Sequence, residues 1–145
     1  MTYEKNMDFD IVKAIKKTNN QIVKDESELV RKYNVTPSQY GVLECLYIKG
    51  DMCINELIER QISTSGTMTV IVKNLEKLKY VKKEADCQDK RFFKVVLTDK
   101  GKRLVENILP ERQERLKDFA DTLTDSEKEE LITILYKFKN RYKNK

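Results

Sequence analysis

One stretch, from Gln61 to Arg91, limits what this chain can fold into more than any other. It opens on Ser63-Thr64-Ser65-Gly66-Thr67-Met68-Thr69 and runs on through Val70-Ile71-Val72-Lys73-Asn74-Leu75-Glu76-Lys77-Leu78. Met68, Ile71, Val72, Leu75 and Leu78 recur at i, i+3, i+4, i+7 and i+10, a single apolar stripe on a helix. Thr64 is its predicted N-cap, because a threonine hydroxyl accepts from an orphan backbone N–H of the first turn. The opposite face carries Ser65, Thr67, Thr69, Val70, Lys73, Asn74 and Lys77, short hydrogen-bonding groups first and lysines further along. Directly after it, 80–84 and 92–97 are β-rich and alternating, joined by a polar tip from Ala85 to Arg91 that holds Asp86, Asp89, Lys90 and Arg91. A helix with one small polar face, followed at once by a basic-tipped hairpin, is the sequence form of a winged helix-turn-helix. Such a helix fits the major groove of double-stranded DNA, and the hairpin tip reaches the neighbouring backbone or minor groove.

The charge distribution agrees with that reading. The chain of 145 residues has a net charge of +5, yet between Arg60 and Arg103 twelve Lys or Arg face only five Asp or Glu. The remainder is therefore slightly acidic, and the basic excess sits where the DNA-reading element is expected. A solvated lysine-rich face would carry the same charge, so the count alone does not decide.

Composition removes several other classes. The chain has no histidine, which takes away the usual general base, the usual metal ligand and every Ser-His or Cys-His pair. No catalytic residue, metal site or cofactor is expected. Cys45, Cys53 and Cys87 are odd in number and hold no Cys-x-x-Cys pair, so no disulfide framework is expected. No run approaches eighteen apolar residues and the N-terminus shows no signal-peptide core, which points to a cytoplasmic protein without a membrane span.

Taken in order, Phe9 to Tyr33 reads as a long helix with an approximate stripe of Ile11, Ile15, Ile22, Leu29 and Tyr33; Asp8 or Asp10 lies near its start and Asn34 at its stop. Thr36-Pro37-Ser38-Gln39 is a capping box with proline in the first turn, opening a helix that buries Val42, Leu43, Leu46 and Tyr47 and stops at Gly50. Met52-Cys53-Ile54 suits a short strand, Asn55 is the expected cap of a brief helix from Glu56 to Arg60, and 61–63 make the turn. After the hairpin, Thr98 caps a helix running through Leu104, Val105, Ile108 and Leu109 towards Phe119 and Leu123, which Pro110 should kink or split. Thr124-Asp125-Ser126-Glu127 is a second capping box, opening a helix with Leu131, Ile134, Leu135, Phe138 and Tyr142 on one side. The fold class is mainly α with a small β-hairpin wing. The outer helices carry longer apolar stripes than a small winged domain needs, and packing against a second copy would bury them in a C2 homodimer.

Thr36 to Tyr40, Glu56 to Arg60, Ser65 to Thr69, Leu75-Glu76-Lys77 ending in Tyr80-Val81, Asp89-Lys90-Arg91 and Leu97 to Gly101 occur in an order and spacing that resembles the MarR family of winged-helix transcriptional regulators. The resemblance covers about Ile11 to Phe138. It implies one domain over 1–145, with a winged core of about 36–98 and dimerisation helices of about 8–33 and 99–143. It also implies a homodimer on a pseudo-palindromic operator, usually a repressor released by a small-molecule effector.

Residue by residue, the resemblance assigns DNA contacts to Thr64, Ser65, Gly66, Thr67 and Thr69 at the head of the helix. Lys73 falls on a phosphate or a guanine, and Lys90 and Arg91 fall at the wing. Arg91 matches an arginine placed in the minor groove, and Asp89 an acid that orients the wing's basic groups. Tyr33, Tyr40 and Tyr47 are candidates to line an effector pocket or to be core aromatics; the ligand residues stay unassigned. Two alternatives remain open: a protein-interaction module that keeps the winged fold without reading DNA, and a redox-responsive regulator acting through Cys87.

Overall fold

The structure is a computed structural model and describes residues 6–61, 65–85 and 93–143. It divides into two compact units, Met1–Ile108 and Leu109–Lys145.

In the first unit, α1 (Met7–Arg31) begins two residues earlier than the periodicity suggests, because the Asn6 side chain caps it, accepting from the Asp8 and Phe9 N–H groups. It ends ahead of Asn34, which takes the left-handed conformation at φ 59°. The capping box that opens α2 (Pro37–Lys49) is formed on both sides: the Gln39 N–H donates to Thr36 Oγ1 at 3.1 Å and the Thr36 N–H to Gln39 Oε1 at 2.9 Å. Gly50 follows at φ 88°.

The strand β1 is only Met52–Cys53, and α3 (Ile54–Arg60) starts at Ile54, one residue before the expected cap. Asn55 therefore lies inside the helix; Cys53 occupies the cap position and makes no side-chain cap bond. Ile54 is needed in the core, where it is buried beside Leu57, and that burial sets the start of the helix.

Next come α4 (Ser65–Lys77), β2 (Val81–Glu84) and β3 (Lys94–Leu97). The three strands form an antiparallel sheet in the order β1-β3-β2, with Met52 opposite Val95 and Val81 opposite Leu97. Lys94 joins all three, since it pairs with Cys53 on one side and Glu84 on the other, and its ammonium reaches Asp51 at 3.5 Å. One core holds the unit together. Leu29 and Val30 of α1, Val42, Leu43 and Leu46 of α2, Leu57 of α3, Met68, Val72 and Leu75 of α4 and Val95 of β3 are all buried in it. Tyr40 is buried in this core, and the half-buried Tyr33 and Tyr47 pack against the same core.

Two cysteines depart from or extend the sequence reading. Cys45 is a free thiol, half-buried, with its sulfur 3.9 Å from that of Met52. Cys53 is disulfide-bonded, against the expectation of none. A disulfide needs Cα atoms within about 4.4–6.8 Å, a proximity that residue spacing in the sequence does not reveal. Cys87 lies outside the described residues.

Helix α5 (Asp99–Ala120) runs unbroken through Pro110, so the predicted split does not occur; the boundary between the two compact units nevertheless falls at Leu109, just before that proline. In the second unit, α6 (Asp125–Lys143) opens on the expected capping box, the Glu127 N–H donating to Thr124 Oγ1 at 3.2 Å and the Thr124 N–H to Glu127 Oε1 at 2.9 Å. Hydrogen bonding to the carboxylate from the Thr124 backbone N–H, and then from the Thr124 side chain, holds the Glu127 carboxyl below its ordinary range. Asp121, at the turn into α6, is lowered in the same way by hydrogen bonds from Lys117 and Lys128.

The junction of β2, β3 and α5 is the tightest point of the first unit. The Thr98 N–H donates to the Tyr80 carbonyl at 3.0 Å, while its side-chain oxygen donates to the Lys79 carbonyl at 2.7 Å and accepts from the Gly101 N–H at 3.1 Å. A Cβ at Gly101 would lie 2.2 Å from the Tyr80 carbonyl oxygen, a backbone atom that cannot step aside without breaking this junction. Gly101→Ala is expected to destabilise the protein by about 1–3 kcal/mol, the usual cost of overpacking a closed site. Urea denaturation followed by circular dichroism checks this at matched protein concentration; an unchanged midpoint would show that the junction is not tight in solution.

Candidate nucleic-acid interface

The sequence splits α4 lengthwise, and the structure keeps the split. Met68, Val72 and Leu75 are fully buried, Ile71 is half-buried, and the helix packs against α2, α3 and β2. Leu78, the last member of the predicted stripe, lies just past the helix and is 39% exposed. The other face is open: Gly66, Thr67, Thr69, Val70, Lys73 and Lys77 are exposed and Asn74 is half-buried. A Cβ built on Gly66 meets nothing within 4 Å, so no packing among the described residues requires a glycine there. Neither Lys73 nor Lys77 forms an ion pair among the described residues.

The end of α4 is locked without a glycine. Lys79 takes the left-handed conformation at φ 65°, and the Lys79 and Tyr80 N–H groups donate to the Glu76 and Leu75 carbonyls. That is the paired pattern of a Schellman stop. Lys100 of α5 adds a third tie, donating to the Leu78 carbonyl at 2.9 Å with its ammonium 4.7 Å from the centre of the Tyr80 ring. The helix is thereby fixed to the sheet at one end while its N-terminal half stands open.

The base of the hairpin is basic on its exposed edge. Lys82 pairs with Glu84 at 3.4 Å, and Lys83 reaches Glu76 of α4 at 4.0 Å while lying over the Phe93 ring. These contacts tie the hairpin to the helix it follows.

Of the predicted contact residues, α4 brings Gly66, Thr67, Thr69 and Lys73 to one open surface. Ser65 opens the helix, but its side chain is outside the described residues, as are Thr64, Asp89, Lys90 and Arg91. The predicted set omitted Lys77 and Val70, which share the open face. Both were legible as members of the polar side of the stripe, although valine is not a residue that draws attention in a search for hydrogen-bonding groups. Among the described residues no group of His, Cys, Asp and Glu could hold a metal ion, and no helix is long and apolar enough to cross a membrane.

Apolar side chains are exposed in each unit: Met7, Phe9, Val12 and Val23 of α1 in the first, and Leu116 and Phe119 of α5 with Ile132, Leu135, Tyr136 and Phe138 of α6 in the second. Among the described residues of the second unit none is buried.

A helical core with a three-stranded sheet and an open, basic helix face defines a winged helix-turn-helix of the MarR type. AbsC, a MarR family transcriptional regulator from Streptomyces coelicolor, superimposes with a TM-score of 0.89 at 16% identity over 100% of both chains. MepR from S. aureus, solved as a complex with DNA, superimposes with a TM-score of 0.80 at 21% identity, over 89% of this chain and 95% of its own. In sequence, residues 24–108 match the family of the transcriptional regulators SarA and Rot. The chain belongs to that family, and is a transcriptional regulator and not an enzyme. The HTH-type transcriptional regulator YsmB of Bacillus subtilis (strain 168) is 29% identical over 136 residues, 94% of this chain and 93% of its own.

Proposed function

We propose that the protein is a homodimeric, sequence-specific DNA-binding repressor of the cytoplasm, a single domain in which α4 enters the major groove of each half of a pseudo-palindromic operator. The open face of α4 carries this reading: hydroxyls, a glycine with free space above it and two lysines without ion pairs among the described residues, all on a helix whose other side is locked in the core. Hydroxyl and backbone groups near the head of a helix suit phosphates and base edges, and lysines suit phosphates. By the family resemblance Thr64, Ser65, Asp89, Lys90 and Arg91 add further DNA contacts, at positions outside the described side chains. Repression is steric, by occupation of promoter DNA. Release by a small-molecule effector rests on the family resemblance alone.

The exposed apolar side chains of α1, α5 and α6 support the homodimer. Exposed apolar side chains at helical spacing suit an interaction site, and α6, none of whose described residues is buried, needs a partner for its stripe. In a dimer the two copies of α4 stand about one duplex turn apart, roughly 34–36 Å, which fits an inverted repeat. Leu135→Asp places a charge in that surface and is expected to convert the dimer to a monomer, as read by sedimentation. A dimer that survives this change would move the interface elsewhere.

Selection of duplexes from a random pool tests the reading as a whole, the expected result being an inverted repeat. On the selected duplex, Lys73→Ala is expected to weaken binding and to reduce the slope of log affinity against log salt by about one for each phosphate that the variant no longer neutralises. Recovery of no duplex at all would favour a protein-interaction module over a DNA reader.

A second reading adds thiol control, and the disulfide at Cys53 favours it. Structural disulfides are rare in the cytosol, where those that form are usually transient and redox-sensing. Cys53 lies in β1, whose backbone pairs with the β3 arm of the wing, so its redox state is set beside the hairpin proposed to contact DNA. Operator affinity is expected to fall on treatment with a dithiol reductant, and Cys53→Ser should hold the reduced affinity under both conditions. Equal affinity with and without reductant would reject thiol control.

A further inference from the structure

We infer that Val70 is a specificity-determining residue that reads the 5-methyl group of a thymine in the major groove. This rests on the DNA-reading function proposed above and names one chemical feature of its target. Val70 is 58% exposed, in the middle of the open face of α4. At 3.6 residues per turn it lies about 60° around the axis from both Thr67 and Lys73, three residues away on either side. Lys77 stands one further turn along the same face.

Nothing among the described residues accounts for an apolar group there. The apolar stripe of α4 is complete without Val70, since Met68, Val72 and Leu75 are each fully buried on the other side. Helix propensity does not account for it either, because a β-branched residue is a poorer helix former than alanine or lysine on an exposed face. The charge around it identifies the partner. Val70 is flanked by Lys73 and Lys77, two cations without ion pairs among the described residues, which draw a polyanion to this face and would resist an apolar protein surface.

On a polyanionic duplex, one feature of the major groove is apolar: the thymine methyl, which side-chain methyl groups contact directly. Cytosine and the purines present no methyl group there, so Val70 against any of them would crowd a polar donor or acceptor without replacing its hydrogen bond. The preference thus has an attractive part and a repulsive part, and both act at one base pair in each half-site.

Uracil tests this, because it pairs as thymine does and lacks only the methyl. Thymines of the duplex selected by the wild-type protein are replaced by uracil one at a time, and affinity is measured for the wild type and for Val70→Ala. The variant keeps the helix, since alanine is the better helix former and the site is exposed. At one symmetry-related pair of positions, uracil should weaken the wild type about fourfold per half-site, the worth of one buried methyl-sized group. V70A should bind the thymine and uracil duplexes equally at those positions while keeping the wild-type salt slope. If no uracil substitution weakens the wild type, or if V70A shows the same loss, Val70 does not read the methyl. If the pool yields no duplex for the wild type, the DNA-reading function fails first, and this inference with it.

Discussion

The structure depends on one helix being held from behind. Met68, Val72 and Leu75 of α4 are fully buried against α2, α3 and β2, and each contributes about 1.5–3 kcal/mol of apolar transfer. A surface meant to approach another macromolecule cannot also pack against its own chain. The helix therefore has to draw its whole tertiary stabilisation from a single stripe. The stripe uses compact and flexible side chains that reach zero exposure, and the opposite face is released from any packing duty. Residues unhelpful to folding, such as Gly66, Thr67 and Thr69 within a helix, are tolerated there because the core has already fixed the backbone.

The second constraint is angular. A helix presented to a partner must also be aimed, and its aim is set where α4 ends. The left-handed Lys79, the Schellman pair onto Leu75 and Glu76, the Thr98 contacts with Lys79 and Tyr80, and Lys100 on the Leu78 carbonyl all converge within a few residues. Helix α4, strand β2 and helix α5 thus share one rigid corner. A lysine in the left-handed region costs roughly 1 kcal/mol relative to glycine. The bonds gathered at this corner offset that cost, and they leave the open N-terminal half of α4 in a defined direction relative to the sheet.

Much of this was legible from residue order, for identifiable reasons. Both capping boxes appear where Thr36 with Gln39 and Thr124 with Glu127 announced them, because a cap is a local interaction completed within four residues. The buried and open sides of α4 were legible because helical periodicity maps directly onto a face. What escaped was decided at long range. The start of α3 moved from Asn55 to Ile54 because the core needs Ile54, and a strong capping residue lost to burial. Pro110 did not split α5, since loss of one backbone donor is small beside the remaining ladder of a 22-residue helix. The stop of α4 carries no glycine to announce it, and the Cys53 disulfide depends on proximity in space that residue spacing does not reveal.

Under the proposed function, the open face of α4 and the exposed apolar side chains would answer different halves of one energetic problem. A groove-reading helix places three or four side chains on base edges, and each base pair distinguished is worth about 1–3 kcal/mol. A genome offers about 10⁶–10⁹ competing sites, a mass-action penalty that the readout of one short helix does not reliably exceed. Raising the lysine content of α4 would not help, because phosphate contacts strengthen the wrong sites as much as the right one. Adding a second helix at a fixed distance does help, since the discrimination of two half-sites multiplies while the spacing itself becomes a further criterion. On this view the apolar side chains of α1 and α6 are as much a part of sequence reading as the threonines of α4: by joining two copies they would turn a weak preference into a selective one.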